Sequence, residues 1–195
     1  MMDALELVDY REAVARLYLS TVGLAEFRAR RDKLFASHPQ SPIPPAERAA
    51  FAGLRYFPPS DDAIVEVGLS EEPGRLEIDT GGPDGVVRYE RVGVLATPWG
   101  PLSLWWIGAY GGGLFLPVRD ATSGQDTYGG GRYLTDTVKG TYGRGLQLSG
   151  GDRVRLDFNY AYNPSCAYDS AWACPLAPRE NWLSEPVRAG ELSYP

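Results

Sequence analysis

The chain has 195 residues, of which 44% are hydrophobic and 23% charged, proportions of a globular protein rather than a disordered or fibrous one. Its net charge of −6 and isoelectric point near 4.9 argue against a nucleic-acid binder, which carries a basic face. No run reaches the roughly 18 consecutive apolar residues of a membrane span, and the start Met1-Met2-Asp3 lacks the basic and apolar regions of a secretory signal, so a cytoplasmic protein is expected.

From Asp3 to Ala36 the pattern is helical, with Leu5, Val8, Tyr10, Val14, Leu17 and Tyr18 forming an apolar face and Gly23 a weak point in the middle that allows two helices rather than one. Arg28, Arg30, Arg31 and Lys33 crowd the second half and read as a solvated face with cations near a helix C-terminus. The stretch from His38 to Pro45 contains four prolines and favours extended geometry, with His38 capping the helix end or packing at the loop. A short helix is expected after Pro45, ending at Gly53.

From Ile64 onward the period shortens to two. Strands are expected at Ile64–Leu69, around Leu76–Ile78, at Val86–Ala96 and at Leu102–Tyr110, with a turn at Gly81–Gly85 and a break at Trp99-Gly100-Pro101. Further strands are expected at Gly113–Val118, Arg132–Val138 and Val154–Tyr160. Short strands without intervening helices indicate a mainly β fold, an antiparallel β-barrel or sandwich behind an N-terminal helical segment, over a single domain of residues 1–195 (helical 3–53, β 54–195). In Trp105-Trp106 the alternation sends one indole to the core and leaves the other half-exposed.

Much familiar chemistry is missing. The one histidine leaves no multi-histidine metal site, and Lys33 and Lys139, the only lysines, belong to no phosphate-binding loop. A zinc site from His38, the two cysteines and Asp157 has no supporting spacing, and no metal or cofactor is expected. Cys166 and Cys174 read first as inert thiols, then as a disulfide, and last as a nucleophile. Gly129-Gly130-Gly131 reads as a turn or bulge before an anion-binding nest.

What stands out is the density of polar side chains among apolar ones between Arg119 and Glu191. Buried polar groups are costly unless paired, so Arg119, Asp120, Thr122, Tyr128, Arg132, Asp157, Asn159, Asn163 and Asn181 bond one another or a ligand. Alternation puts Asp157 and Asn159 on one strand face, suggesting a barrel interior or mouth lined with Arg119 and Arg132. Such a site would clamp a polar or anionic small molecule, with Asp120 or Asp157 as acid or base and Arg132 stabilising charge if it is catalytic. The same residues could instead be an internal ion-pair network that fixes strand register.

These stretches also carry a family resemblance. His38–Pro42, Phe51–Pro58, Arg119–Gly124, Thr127–Leu134, Asp157–Pro164, Cys174–Leu176, Asn181–Leu183 and Ala189–Glu191 together resemble the prokaryotic family known as domain of unknown function 1684. Tyr160 departs from it, standing where arginine is expected in many relatives. The resemblance implies a shared fold and a shared site, and no activity. The expectation is therefore a small-molecule-binding β-barrel, as sensor or as hydrolase or isomerase, with oligomeric state left open. The alternative is a protein-interaction module using the prolines of His38–Pro45 and exposed aromatic residues.

Overall fold

In the computed structural model the described residues are 2–79, 85–108 and 110–195. Two helices come first, α1 (Met2–Leu19) and α2 (Leu24–Ser37). They part where Gly23 was expected to divide them, and Gly23 takes an extended conformation as the N-cap of α2. Helix α2 ends because His38 precedes proline, which disfavours helical geometry; His38 is extended, at ψ 136°. Its backbone amide bonds Leu34 O, Nδ1 accepts from the Gln40 amide, and Nε2 lies 3.1 Å from Asp9 Oδ2. The helix expected after Pro45 is reduced to a single 3-10 turn, Arg48–Ala50.

Eight strands follow: β1 (Ile64–Ser70), β2 (Gly74–Asp79), β3 (Val86–Thr97), β4 (Gly100–Ile107), β5 (Gly113–Val118), β6 (Arg132–Asp136), β7 (Leu146–Gly150) and β8 (Arg153–Asp157). All pairings are antiparallel, in the order β6-β5-β4-β3-β1-β8-β7 with β2 also on β3. The two ends of this order, β6 and β7, do not pair, and the sheet curls into a half-barrel.

The bend is built at β3. Its first half pairs β2 and its last residues pair β1, with a register shift between Arg91 and Gly93. Glycine is required at 93 because a Cβ there would stand 2.4 Å from Ser70 O, inside contact distance. Pro101, the second residue of β4, opposes Ala96 of β3; β5 pairs only from Trp105 onward, so no neighbour needs its missing N–H. The turn expected at Gly81–Gly85 lies almost wholly outside the described residues.

Alternation along these strands covers both faces of the sheet. Leu104, Leu116 and Leu134 belong to the main core with Leu95, Leu102, Leu156 and Phe158. Their chain neighbours Trp105, Phe115 and Tyr133 point the other way, into a second cluster with Tyr89 and Ile107. Trp106 is 42% exposed against 1% for Trp105, as the alternation required. Each such large apolar side chain contributes about 1.5–3 kcal/mol by leaving water.

Helix α1 is tied to this frame by Arg144, just before β7. Its guanidinium donates to the carbonyls of Tyr18, Ser20 and Val22, which the helix end leaves without partners. Leu17, Tyr18 and Phe27 then pack with Tyr160 and Tyr162 of the β domain. Between residues 38 and 48 the chain folds inward: Ile43 is fully buried, and Arg48 donates to the carbonyls of Ile43, Pro39 and Ser41. Among the described residues no helix is long and apolar enough to cross a membrane.

Candidate functional site

The expected site residues fall into separate arrangements. Arg132, at the start of β6, is fully buried and pairs through Nη2 with Asp120 Oδ2 at 2.8 Å. Its other contacts are the carbonyls of Val187 (3.0 Å), Glu191 (3.3 Å) and Ala189. Asp120 Oδ1 accepts from the Thr122 amide, the Thr122 hydroxyl and the Val187 amide. Burial raises the Asp120 pKa, but Arg132 and the Thr122 bonds outweigh it and hold the carboxyl below the usual aspartate range. Neither side chain has any exposed surface, so this network is sealed.

Asp157 stands apart from that pair. Strand β8 ends there, and Phe158–Tyr160 is a 3-10 turn, so the expected alternation through Tyr160 stops. Asp157 and Asn159 do meet, but as a cap: Asp157 Oδ1 accepts from both the amide and the side chain of Asn159. Asn159 in turn exchanges two bonds with the Ser60 backbone. No hydrogen bond or ion pair among the described residues joins Asp157 to Arg132. Arg119 stacks on Trp182 at 4.1 Å and donates to Gly129 O. Asn181 is saturated by Trp105 Nε1, Ser103 O and Pro117 O, and pins the C-terminal segment to β4 and β5. Tyr128 donates to Cys166 Sγ, and burial with that contact pushes its pKa up to about 12. The triple glycine is a turn: the Gly131 amide bonds Tyr128 O, and its φ of 90° with Val118 O 2.6 Å from any Cβ admits only glycine.

A second buried ion pair escaped the sequence. Arg31, expected on a solvated face, is only 4% exposed and pairs with Glu191 at 2.8 Å. The same guanidinium reaches the hydroxyls of Tyr56 and Tyr168, and Tyr168 donates to Glu191 Oε1. Asn163 completes the ring through its amide to Glu191 Oε2 and its Nδ2 to Oε1 and Leu192 O. A signal did exist: Phe27 and Phe35, both buried, flank Arg31 at four-residue steps and so place it on the apolar face. Arg30, on another side of α2, is exposed and pairs with Glu26, as the solvated-face reading requires.

This ring borders a cavity of about 80 Å³ between the two helices and the sheet. Its walls include the rings of Tyr10, Tyr18, Phe35, Tyr162 and Tyr168, with Asp136 and Lys139 from the end of β6 and the turn after it. Asn163 also lines it, alone among the expected site residues. Because Nδ2 of Asn163 faces two acceptors, its amide orientation is fixed, and Oδ1 is left buried with no partner. Among the described residues the hydroxyls of Tyr10 and Tyr18 also find no hydrogen-bond partner. Burial, opposed by Arg31, pushes Tyr10 up to about 12 and raises Tyr18 too, so both remain protonated donors. Burial likewise raises the Asp136 carboxyl, with Lys139 and two backbone amides opposing.

Comparison with known proteins gives a family and no activity. Among curated proteins, none matches the chain. Among solved structures, the solution structure of an uncharacterised protein from Haloarcula marismortui is similar at 40% identity, covering 87% of this chain and 92% of that one, with a TM-score of 0.59. The family profile described as protein of unknown function (DUF1684) matches residues 49–192, which takes in the sheet, the Arg132 network, Asn163 and Glu191 but not α1 or α2. The chain belongs to the DUF1684 family.

Proposed function

We propose that this protein binds a small, uncharged polar molecule in the cavity between the helices and the sheet. The observation that carries the reading is convergence: Asn163, whose Oδ1 is buried without a partner, lines one aromatic-walled space with Tyr10 and Tyr18, whose hydroxyls have no hydrogen-bond partner among the described residues. Ligand sites combine such apolar walls with a few placed polar groups. At about 80 Å³ the cavity has room for roughly two or three waters, which suits a small molecule. Arg31 is already matched by Glu191, and Arg132 by Asp120, so neither arginine offers unbalanced charge to an anion. The occupant therefore carries an acceptor for a tyrosine hydroxyl.

The sealing of Asp120 and Arg132 favours binding over acid–base work at that pair, since a general base must reach its proton. The interaction-module alternative loses its main support because His38–Pro45 is packed inward and held by Arg48.

A thermal-shift screen with small neutral amides, phenols and polyols tests the proposal, run on the unmodified chain and on Tyr18→Phe and Asn163→Asp. Ligands should raise the melting temperature of the parent and do so much less in Tyr18→Phe. No hit across the panel, or hits indifferent to both substitutions, would make the cavity a structural void.

A further inference from the structure

We propose that helix α1 is a hinged lid over the cavity, fixed at its C-terminal end and latched to the loop after α2 by contacts weak enough to release. Its purpose rests on the cavity being a ligand site: α1 is the wall that yields when an occupant enters. Tyr10, Val14, Leu17 and Tyr18 of α1 form one side of that cavity. The other sides are held firmly. In α2, Arg31 pairs with Glu191 at 2.8 Å and both Phe27 and Phe35 are buried. Across from it, Asn163 donates to Glu191 and to Leu192 O, and Tyr168 donates to Glu191.

Helix α1 is attached unevenly. Of its side chains from Asp3 to Leu19 only Leu17 and Tyr18 are buried, both in the last turn. There the Arg144 guanidinium donates to the carbonyls of Tyr18, Ser20 and Val22, so that end stays with the sheet. The link from Ser20 to Gly23 is neither helix nor strand, and a Cβ at Gly23 would meet nothing within 4 Å, which leaves the chain room to pivot. Along its flanks α1 borders two open grooves. One of about 340 Å³ lies against α2, lined by Ala13, Arg16, Lys33 and Ser37. The other, of about 250 Å³, lies against the turn after β6, lined by Val8, Arg11, Val138 and Tyr142. A helix with space on both flanks lacks much of the close packing that fixes a core element.

The latch is made by the loop after α2. His38 Nδ1 accepts from the Gln40 amide, so in the neutral ring Nε2 carries the proton and donates to Asp9 Oδ2 at 3.1 Å. The Tyr10 and His38 ring centroids are 5.0 Å apart, and Gln40 Nε2 donates to Glu6 Oε2 at 3.4 Å. Glu6, Asp9 and Tyr10 stand three and four residues apart, so these contacts share one face of the helix. The Asp9 side chain is 68% exposed, and polar contacts at such exposure hold weakly. Release here, with Arg144 keeping the far end, moves Tyr10 and Val14 off the cavity and uncovers Tyr18. Lids of this kind admit a ligand and then shut out water.

The test reads access to the cavity with tetranitromethane, which nitrates tyrosine, applied to the full chain and followed by peptide mapping. Tyr18 reports the cavity, and Tyr89, buried in the cluster on the other face of the sheet, reports general unfolding. The variant combining Glu6→Ala and Asp9→Ala should be nitrated at Tyr18 roughly three- to ten-fold faster than the parent, with Tyr89 unchanged. Asp9→Ala alone should show part of that gain, and Asp9→Asn, which keeps an acceptor for His38 Nε2, should stay near the parent. Equal Tyr18 rates in the parent and the double variant, a matching rise at Tyr89, or Asp9→Asn behaving as Asp9→Ala would each overturn the lid. The probe is a reagent rather than a ligand, so the two readings fail separately. A latch-dependent Tyr18 with no thermal-shift hit would strike the ligand site alone, and hits beside a Tyr18 indifferent to the latch would strike the lid alone.

Discussion

The two buried arginine–carboxylate pairs share a chemistry and differ in what surrounds them. Arg132 and Asp120 are sealed between β6 and the C-terminal segment, where Arg132 also holds the carbonyls of Val187 and Ala189. Arg31 lines a cavity, and its partner Glu191 keeps donors from Tyr168 and from both nitrogens of Asn163 whatever Arg31 does. Desolvation offsets much of the attraction in either pair, so the lesson lies in what removal leaves behind. One pair is a rivet. The other is part of a wall.

The largest expected effect tests that difference directly. Arg132→Ala strips Asp120 Oδ2 of its partner in a space water does not reach, and should cost about 3–5 kcal/mol in denaturant unfolding. Arg31→Ala leaves Glu191 with three other donors beside a cavity that can admit water, and should cost about 1–3 kcal/mol. Equal losses would mean that the cavity is as closed to water as the Arg132 site.

Asn181 sharpens the comparison from the sealed side. Asn181→Ala would strand the Trp105 indole N–H and two strand carbonyls together, for a loss of about 2–3 kcal/mol in the same measurement. A loss below about 0.5 kcal/mol would show that water replaces the amide and that the second cluster is open to solvent.

The contrast between the sites also explains what was legible in the sequence. Strands β1 to β5 announce themselves because alternation along them matches alternating burial or two covered faces. Strand β7 does not, since only Leu146 of its five residues is buried and no period can be read from one position. Strands β6 and β8 were expected to run on to Val138 and Tyr160. They stop at Asp136 and Asp157, whose carboxylates accept from Lys139 and Asn159 and turn the chain into 3-10 geometry. Polar density pointed correctly to buried networks at Asp120, Arg132 and Asn181, because burial of such groups demands partners. It could not show that the partners of Arg132, Asp120 and Asn181 come from within the protein, nor that Arg132 Nε is left buried without one. The cavity was hidden for another reason: its walls come from α1, α2 and a segment more than a hundred residues away, and among the nine expected residues only Asn163 faces it.

Acid titration should separate the two regions by sign. Asp120 is held below its ordinary range, so its stabilisation is present above the unfolded value of about 4 and is lost as pH falls through the native value. Asp136, at the cavity, is raised, so native protein binds the proton more tightly than unfolded chain does. Its favourable contribution is complete below about 4 and is lost as pH rises through the native value. Asp136→Asn should therefore flatten the decline in stability above pH 4, and Asp120→Asn the loss on the acid side, when unfolding free energy is followed against pH.

The smallest expected effect is the most discriminating. A buried hydroxyl that bonds the protein costs about 0.5–1.5 kcal/mol to delete, whereas one that bonds nothing costs nothing and can stabilise when removed. The Tyr18 ring is buried and held by Phe27 and Tyr162, yet its hydroxyl has no partner among the described residues. Tyr18→Phe should leave unfolding free energy within about 0.5 kcal/mol of the parent, while Tyr162→Phe, whose hydroxyl bonds Thr141 at 2.9 Å, should lose about 1 kcal/mol. That outcome is what the proposed ligand site requires of the Tyr18 hydroxyl. If Tyr18→Phe instead costs as much as Tyr162→Phe, the hydroxyl has an internal partner, a bound water included, and the cavity is one more sealed network like that of Arg132.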